Sequence, residues 1–204
     1  MDTALVYASA KGEIDEVTIL LAMGARVDAR EQGFTPLLVA AQLGQIEICK
    51  LLLATGKANL KETTSDGFTA LLSAARRGHP EVCELLLANG SDLEERVTGT
   101  LYTALHQAAV NGHQIVLELL LSHKADVNSR SRIGFTPLHL ASQDGHLACV
   151  VALLQAGADP LLPDNYGALP IHTAASSNHP EVVRILIEQG GCSIDQVRDS
   201  VASS

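Results

Sequence analysis

Tryptophan is absent from this chain and phenylalanine occurs only three times. Any aromatic that recurs at a fixed position therefore stands out. Cysteine occurs four times, never as a CxxC pair, which argues against a small disulfide scaffold. Cys49, Cys83 and Cys149 read as small apolar packing residues. Bases are scarce: 14 Lys and Arg against 23 Asp and Glu, a formal net charge of −9. No Lys/Arg run tracks a phosphate backbone, so a nucleic-acid partner is not expected. No apolar run is long enough to span a bilayer, and membrane insertion is not expected either. Met1-Asp2-Thr3 carries no basic, apolar leader, so the expected setting is cytoplasmic or nuclear.

What the chain does contain is repetition. Thr3, Thr35, Thr69, Thr103, Thr136 and Leu169 mark six copies, spaced by 32, 34, 34, 33 and 33 positions. Five positions after each anchor stands an alanine: Ala8, Ala40, Ala74, Ala108, Ala141 and Ala174. Nine after stand Gly12, Gly44, Gly78, Gly112, Gly145 and Asn178. Seventeen after stands a leucine in every copy, from Leu20 to Leu186. A period near 33 residues predicts a stacked array. The expected units are residues 1–31, 32–64, 65–98, 99–131, 132–164 and 165–197, one continuous array with a tail at 198–204.

Each unit reads as a helical hairpin. The anchor threonine is placed to cap a first helix. Pro follows it in copies two and five, where its missing amide costs nothing. Small apolar residues come next, and the Gly column ends the helix. A second helix carries Leu-Leu pairs such as Leu52-Leu53 and Leu86-Leu87, and another Gly usually stops it. The alanine column lets inner helices approach closely, while the leucines fill the space between outer helices. One unit cannot bury its apolar face alone, so stability is expected to come from stacking.

Thr136-Pro137-Leu138-His139-Leu140-Ala141, then Gly145-His146 and Gly157-Ala158-Asp159, resembles the ankyrin repeat almost letter for letter. Thr103-Ala104-Leu105-His106 with Gly112-His113 matches nearly as well. The resemblance covers about residues 3–197. It implies an all-α solenoid of helix-turn-helix units joined by extended hairpin loops. It also implies a non-enzymatic module that binds a protein or peptide through a concave groove and its loops. Two alternatives are a target-recruiting segment of a larger protein (a ligase adaptor, kinase or channel) and a scaffold with no selective site.

Seven of the eight histidines follow the repeat, only His123 standing off it, and they do not converge as metal ligands would. His106, His139 and His172 fall at helix starts, where the resemblance implies bonds to the cap or to the neighbouring loop. No carboxylate pair, Ser-His-Asp set or phosphate loop stands out. Catalytic residues, cofactor and metal are therefore not expected.

The aromatics Phe34, Phe68, Tyr102 and Phe135 each precede an anchor. The resemblance places that position on a groove-facing loop, where they are either binding anchors or loop packing. It also makes positions seven and eight after the anchor groove-facing: Gln42-Leu43, Arg76-Arg77, Val110-Asn111 and Gln143-Asp144. Only copy three places two arginines there. With Arg132 nearby, the expected contacts are Phe34, Phe68, Arg76, Arg77, Tyr102, Asn111, Arg132, Phe135 and Asp144. The expected partner is an extended peptide with acidic and apolar residues, since arginine pairs well with carboxylates. The bland alternative is a solvated polar face.

Three breaks in the pattern carry expectations. Leu101 replaces the glycine expected before Tyr102, and Gly99 is expected to take over that turn. Leu169 replaces the capping threonine of copy six. The apolar last helix, Val182–Ile187, and Ser193–Val197 predict a monomer or a part of a longer chain. Asn128 fits the asparagine that hydroxylases modify in the resembled family.

Overall fold

The computed structural model describes residues 1–193. The readings placed on Ile194–Val197 and on the tail lie outside them. Two compact units are recognised, Met1–Thr98 and Gly99–Ser204. In the first, helices run in chain order as α1 (Asp2–Lys11), α2 (Ile14–Ala22), α3 (Pro36–Gln42), α4 (Ile46–Ala54), α5 (Ala70–Arg77) and α6 (Pro80–Ala88). The second holds α7 (Ala104–Val110), α8 (Gln114–Ser122), α9 (Pro137–Gln143), α10 (Leu147–Gln155), α11 (Pro170–Ser176) and α12 (Pro180–Glu188). Among the described residues the fold is all-α, and the only strand-like pairing is a single bridge between Glu31 and Phe34.

Within each unit the stacking follows the repeat. Inner helices pack in series, α1 on α3 on α5, and α7 on α9 on α11. Outer helices do the same, α2 on α4 on α6, and α8 on α10 on α12. All six column alanines are buried at the inner contact. A Leu there would have to displace a neighbouring helix. In the outer pairs the first leucine carries the burial. Leu52, Leu86, Leu120 and Leu153 are fully buried, whereas Leu53, Leu87, Leu121 and Leu154 are half-exposed. Full burial of one leucine contributes about 1.5–3 kcal/mol.

The caps divide by copy. Thr35, Thr69, Thr103 and Thr136 each accept a hydrogen bond from the amide three residues on. Copy one departs from the expectation. Its helix begins at Asp2, so Thr3 lies exposed inside α1 and caps nothing. Asp2 instead accepts from the Arg26 amide at 3.0 Å and ties the helix start to the following loop. Leu169 has no side chain able to cap α11. There the cap is one-sided: His172 Nδ1 accepts from the Leu169 amide at 3.0 Å.

The Gly column has a reason beyond ending a helix. A Cβ on Gly44 would stand 2.7 Å from the His79 ring, and one on Gly145 would stand 2.5 Å from His179. The imidazole of one copy thus lies against the glycine backbone of the copy before. His79 Nε2 is 3.2 Å from the Gln42 carbonyl, and His146 Nε2 is 3.1 Å from that of Val110. Two columns that look independent in the sequence form one contact.

Copy four keeps its strain. Gly99 does turn left-handed, at φ 100°, but Leu101 does so as well, at φ 60°. Gly99 therefore adds a turn without relieving Leu101 of the one its position demands.

Candidate peptide-binding surface

The loops before the anchors are held from both sides. Thr64 Oγ1, Ser131 Oγ and Asp164 Oδ1 accept from the amides of Phe68, Phe135 and Ala168 respectively. Copy two closes differently. Glu31 and Phe34 exchange both backbone hydrogen bonds at 2.9 Å, around Gln32 and Gly33 at φ 50° and 85°. Positive φ at both central residues is the tight mirror-image turn of a two-residue hairpin. Arg30 buttresses it, reaching Glu62, the Thr63 carbonyl and the Gly33 carbonyl. This turn, presented by one residue fewer than in the next copy, was not evident from the spacing alone.

The four aromatics share a sequence position but not an environment. Tyr102 stacks on His106 with ring centroids 5.3 Å apart, and Phe135 on His139 at 5.2 Å. Those imidazoles are themselves fixed. His139 Nδ1 accepts from the Thr136 amide, and Nε2–H donates to the Ala168 carbonyl at 3.1 Å. His106 does the same with Thr103 and Phe135. Burial lowers the His139 pKa, and the bond to Ala168 opposes that shift. For Tyr102 burial raises the pKa, with the charge of Asp144 adding to it.

Copies two and three have leucine where copies four and five have that histidine. Phe34 and Phe68 are consequently left facing a cleft. The cleft is lined by Phe34, Gln42, Asp66, Phe68, Arg76 and Arg77, and has a volume of about 170 Å³. The Arg76 guanidinium lies over the Phe68 ring, 5.0 Å from its centroid. Such a contact holds the guanidinium in place at the cleft wall. Arg77, exposed on the same last turn of α5, makes no side-chain hydrogen bond or ion pair with another described residue.

Four of the nine expected contacts thus meet in one cleft. Of the others, Asn111 and Asp144 are exposed at the ends of α7 and α9, and Asn111 Nδ2 donates to the Gln107 carbonyl. Arg132 is exposed on the loop before α9, its carbonyl accepting from Asn165. Tyr102 and Phe135 are half-buried against their histidines. Asn128 is occupied as a strut, its Oδ1 accepting from the Asp159 amide of the next copy. The sequence reading passed over Tyr7, exposed on α1, whose place in copy one has no preceding aromatic to flag it.

Among the described residues no three His, Cys, Asp or Glu cluster as metal ligands would. The cysteines are free and buried, and burial pushes Cys49 and Cys83 up to about 12 and Cys149 to about 11. No described helix is long and apolar enough to cross a membrane.

A comparison with curated proteins found no match. The family model for ankyrin repeats, itself three copies long, matches residues 1–64, 53–131 and 117–198. Together the matches cover residues 1–198, and the chain belongs to the ankyrin repeat family, whose members are generally protein–protein interaction modules.

Proposed function

We propose that this chain is a non-enzymatic recognition module that binds an extended peptide bearing acidic and apolar residues. One observation carries the reading: Phe34, Phe68, Arg76 and Arg77 converge on a single cleft of the first unit. An aromatic floor supplies apolar contact area, and two arginines supply paired hydrogen bonds to carboxylates. Residues fixed by caps, tight turns and ring contacts lose little freedom on binding, which lowers the entropic cost. On the second unit, Tyr102, Asn111, Arg132, Phe135 and Asp144 are a candidate contact surface of their own. Four buried free thiols support a reducing setting, cytoplasmic or nuclear.

The test is affinity capture from cell extract, comparing the chain with its Arg76→Ala/Arg77→Ala variant after a thermal melt shows both folded. A protein retained by the parent and lost from the variant is the expected result. Equal recovery of every retained protein would sink the reading.

A further inference from the structure

A second cleft adjoins the first, and together they specify a sequence pattern. The second is lined by Tyr7 and Ala10 of α1, Gln32 and Phe34 of the tight turn, Val39 of α3 and Leu43 just past its end. It has little polar lining apart from Gln32, Gln42 and Glu31. Tyr7 is 47% exposed and Leu43 is 48% exposed, both large apolar groups left uncovered. Gln32 Nε2 lies 3.4 Å from the Tyr7 hydroxyl and closes the rim. Phe34 and Gln42 line both clefts, so the two share a wall.

Their chemistry is opposed. The arginine cleft carries Arg76 and Arg77 against the single carboxylate of Asp66. The apolar cleft has no base and has Glu31 at its edge. A carboxylate is attracted to one and repelled from the other, which fixes the direction in which a mixed peptide must be read.

Their separation is also set. The apolar cleft lies between α1 and α3, the arginine cleft between α3 and α5, so they are one repeat step apart. Packed helices stand about 8–10 Å apart. An extended chain advances about 3.3 Å per residue, so one step corresponds to roughly three residues.

We infer that the first unit recognises a bipartite motif: a large apolar residue seated among Tyr7, Phe34 and Leu43, and an acidic residue about three positions away held by Arg76 and Arg77. This rests on the acidic-peptide reading above and adds to it the apolar anchor and the spacing.

The experiment is selection of randomised ten-residue peptides displayed on phage against the full chain, followed by anisotropy titration of the enriched peptides. Enriched sequences should contain Asp or Glu with Leu, Ile, Met or Phe three or four positions away. Moving the apolar residue by two positions should weaken binding roughly tenfold, a change of about 1.4 kcal/mol. Leu43→Glu, and the milder Tyr7→Ser, should abolish the apolar preference while acidic enrichment persists. Arg76→Glu/Arg77→Glu should abolish the acidic preference. Acidic enrichment with no apolar residue at that spacing, or an apolar preference that survives both Leu43→Glu and Tyr7→Ser, overturns the inference and leaves the acidic-peptide reading standing. No acidic enrichment on the parent chain overturns both.

Discussion

Single residues in this chain are decided by the geometry of their column. His139 is held as the neutral tautomer with its proton on Nε2, because Nδ1 must accept from Thr136. Protonation would turn that acceptor into a donor facing another donor. Burial lowers its pKa below the ordinary 6.5, so the unfolded chain takes up the proton first as pH falls. The contribution of His139 to stability is therefore whole above about pH 6.5 and is lost as pH falls from there toward the folded value. Urea midpoints at pH 7.5 and 5.5 should show the fall, and His139→Gln, though less stable throughout, should show a smaller one. Lys124 stands at φ 72° where the five other copies have glycine, four of those glycines at positive φ. A left-handed conformation costs a side-chain-bearing residue about 1–2 kcal/mol, part of which the greater freedom of unfolded glycine cancels. Lys124→Gly is expected to stabilise by about 0.5–1 kcal/mol in a denaturant titration.

Helices are decided by which neighbour they must touch. The inner helices are only seven to ten residues long, too short to be stable alone in water, so packing supports them. Ala74 has no room to grow, and Ala74→Leu should cost about 1–3 kcal/mol by forcing α5 off its neighbour. The outer pairs allow a sharper comparison. Leu86→Ala should cost about 2–5 kcal/mol, because it opens a cavity between buried surfaces. Leu87→Ala, at a half-exposed site, should cost clearly less. Equal losses for the two would mean that the alternation seen here does not govern stability. Leu169→Thr should restore the missing hydroxyl of copy six and gain about 1 kcal/mol.

For the molecule as a whole, the cysteines are the simplest reporter. All four are free and buried, and burial raises every one of their pKa values. A disulfide reagent at neutral pH should modify them slowly in the native protein and all four promptly in denaturant. A fast native fraction would reveal local opening at the copy that carries the reactive thiol. The period, the caps at Thr35 through Thr136 and the alanine column could be read in the sequence, and the family resemblance implied the bonds of His106, His139 and His172. Each arises from contacts that repeat with the chain and so leave a repeating trace. The start of α1 at Asp2 and the two-residue turn at Gln32-Gly33 could not. They depend on where one loop meets one neighbour, and each occurs once.

The same division holds for the surface proposed to bind. Sequence by itself determined that aromatics precede four anchors and that one copy carries two arginines. It could not determine which aromatics are available. That depends on whether an imidazole three positions beyond the anchor stacks on the ring, as in Tyr102 and Phe135, or whether a leucine leaves it facing a cleft, as in Phe34 and Phe68. Helix identity follows from local spacing and cap chemistry, which neighbouring residues specify. The pairing of Tyr7 with Leu43 joins residues of different copies, and only stacking brings those side chains to one place.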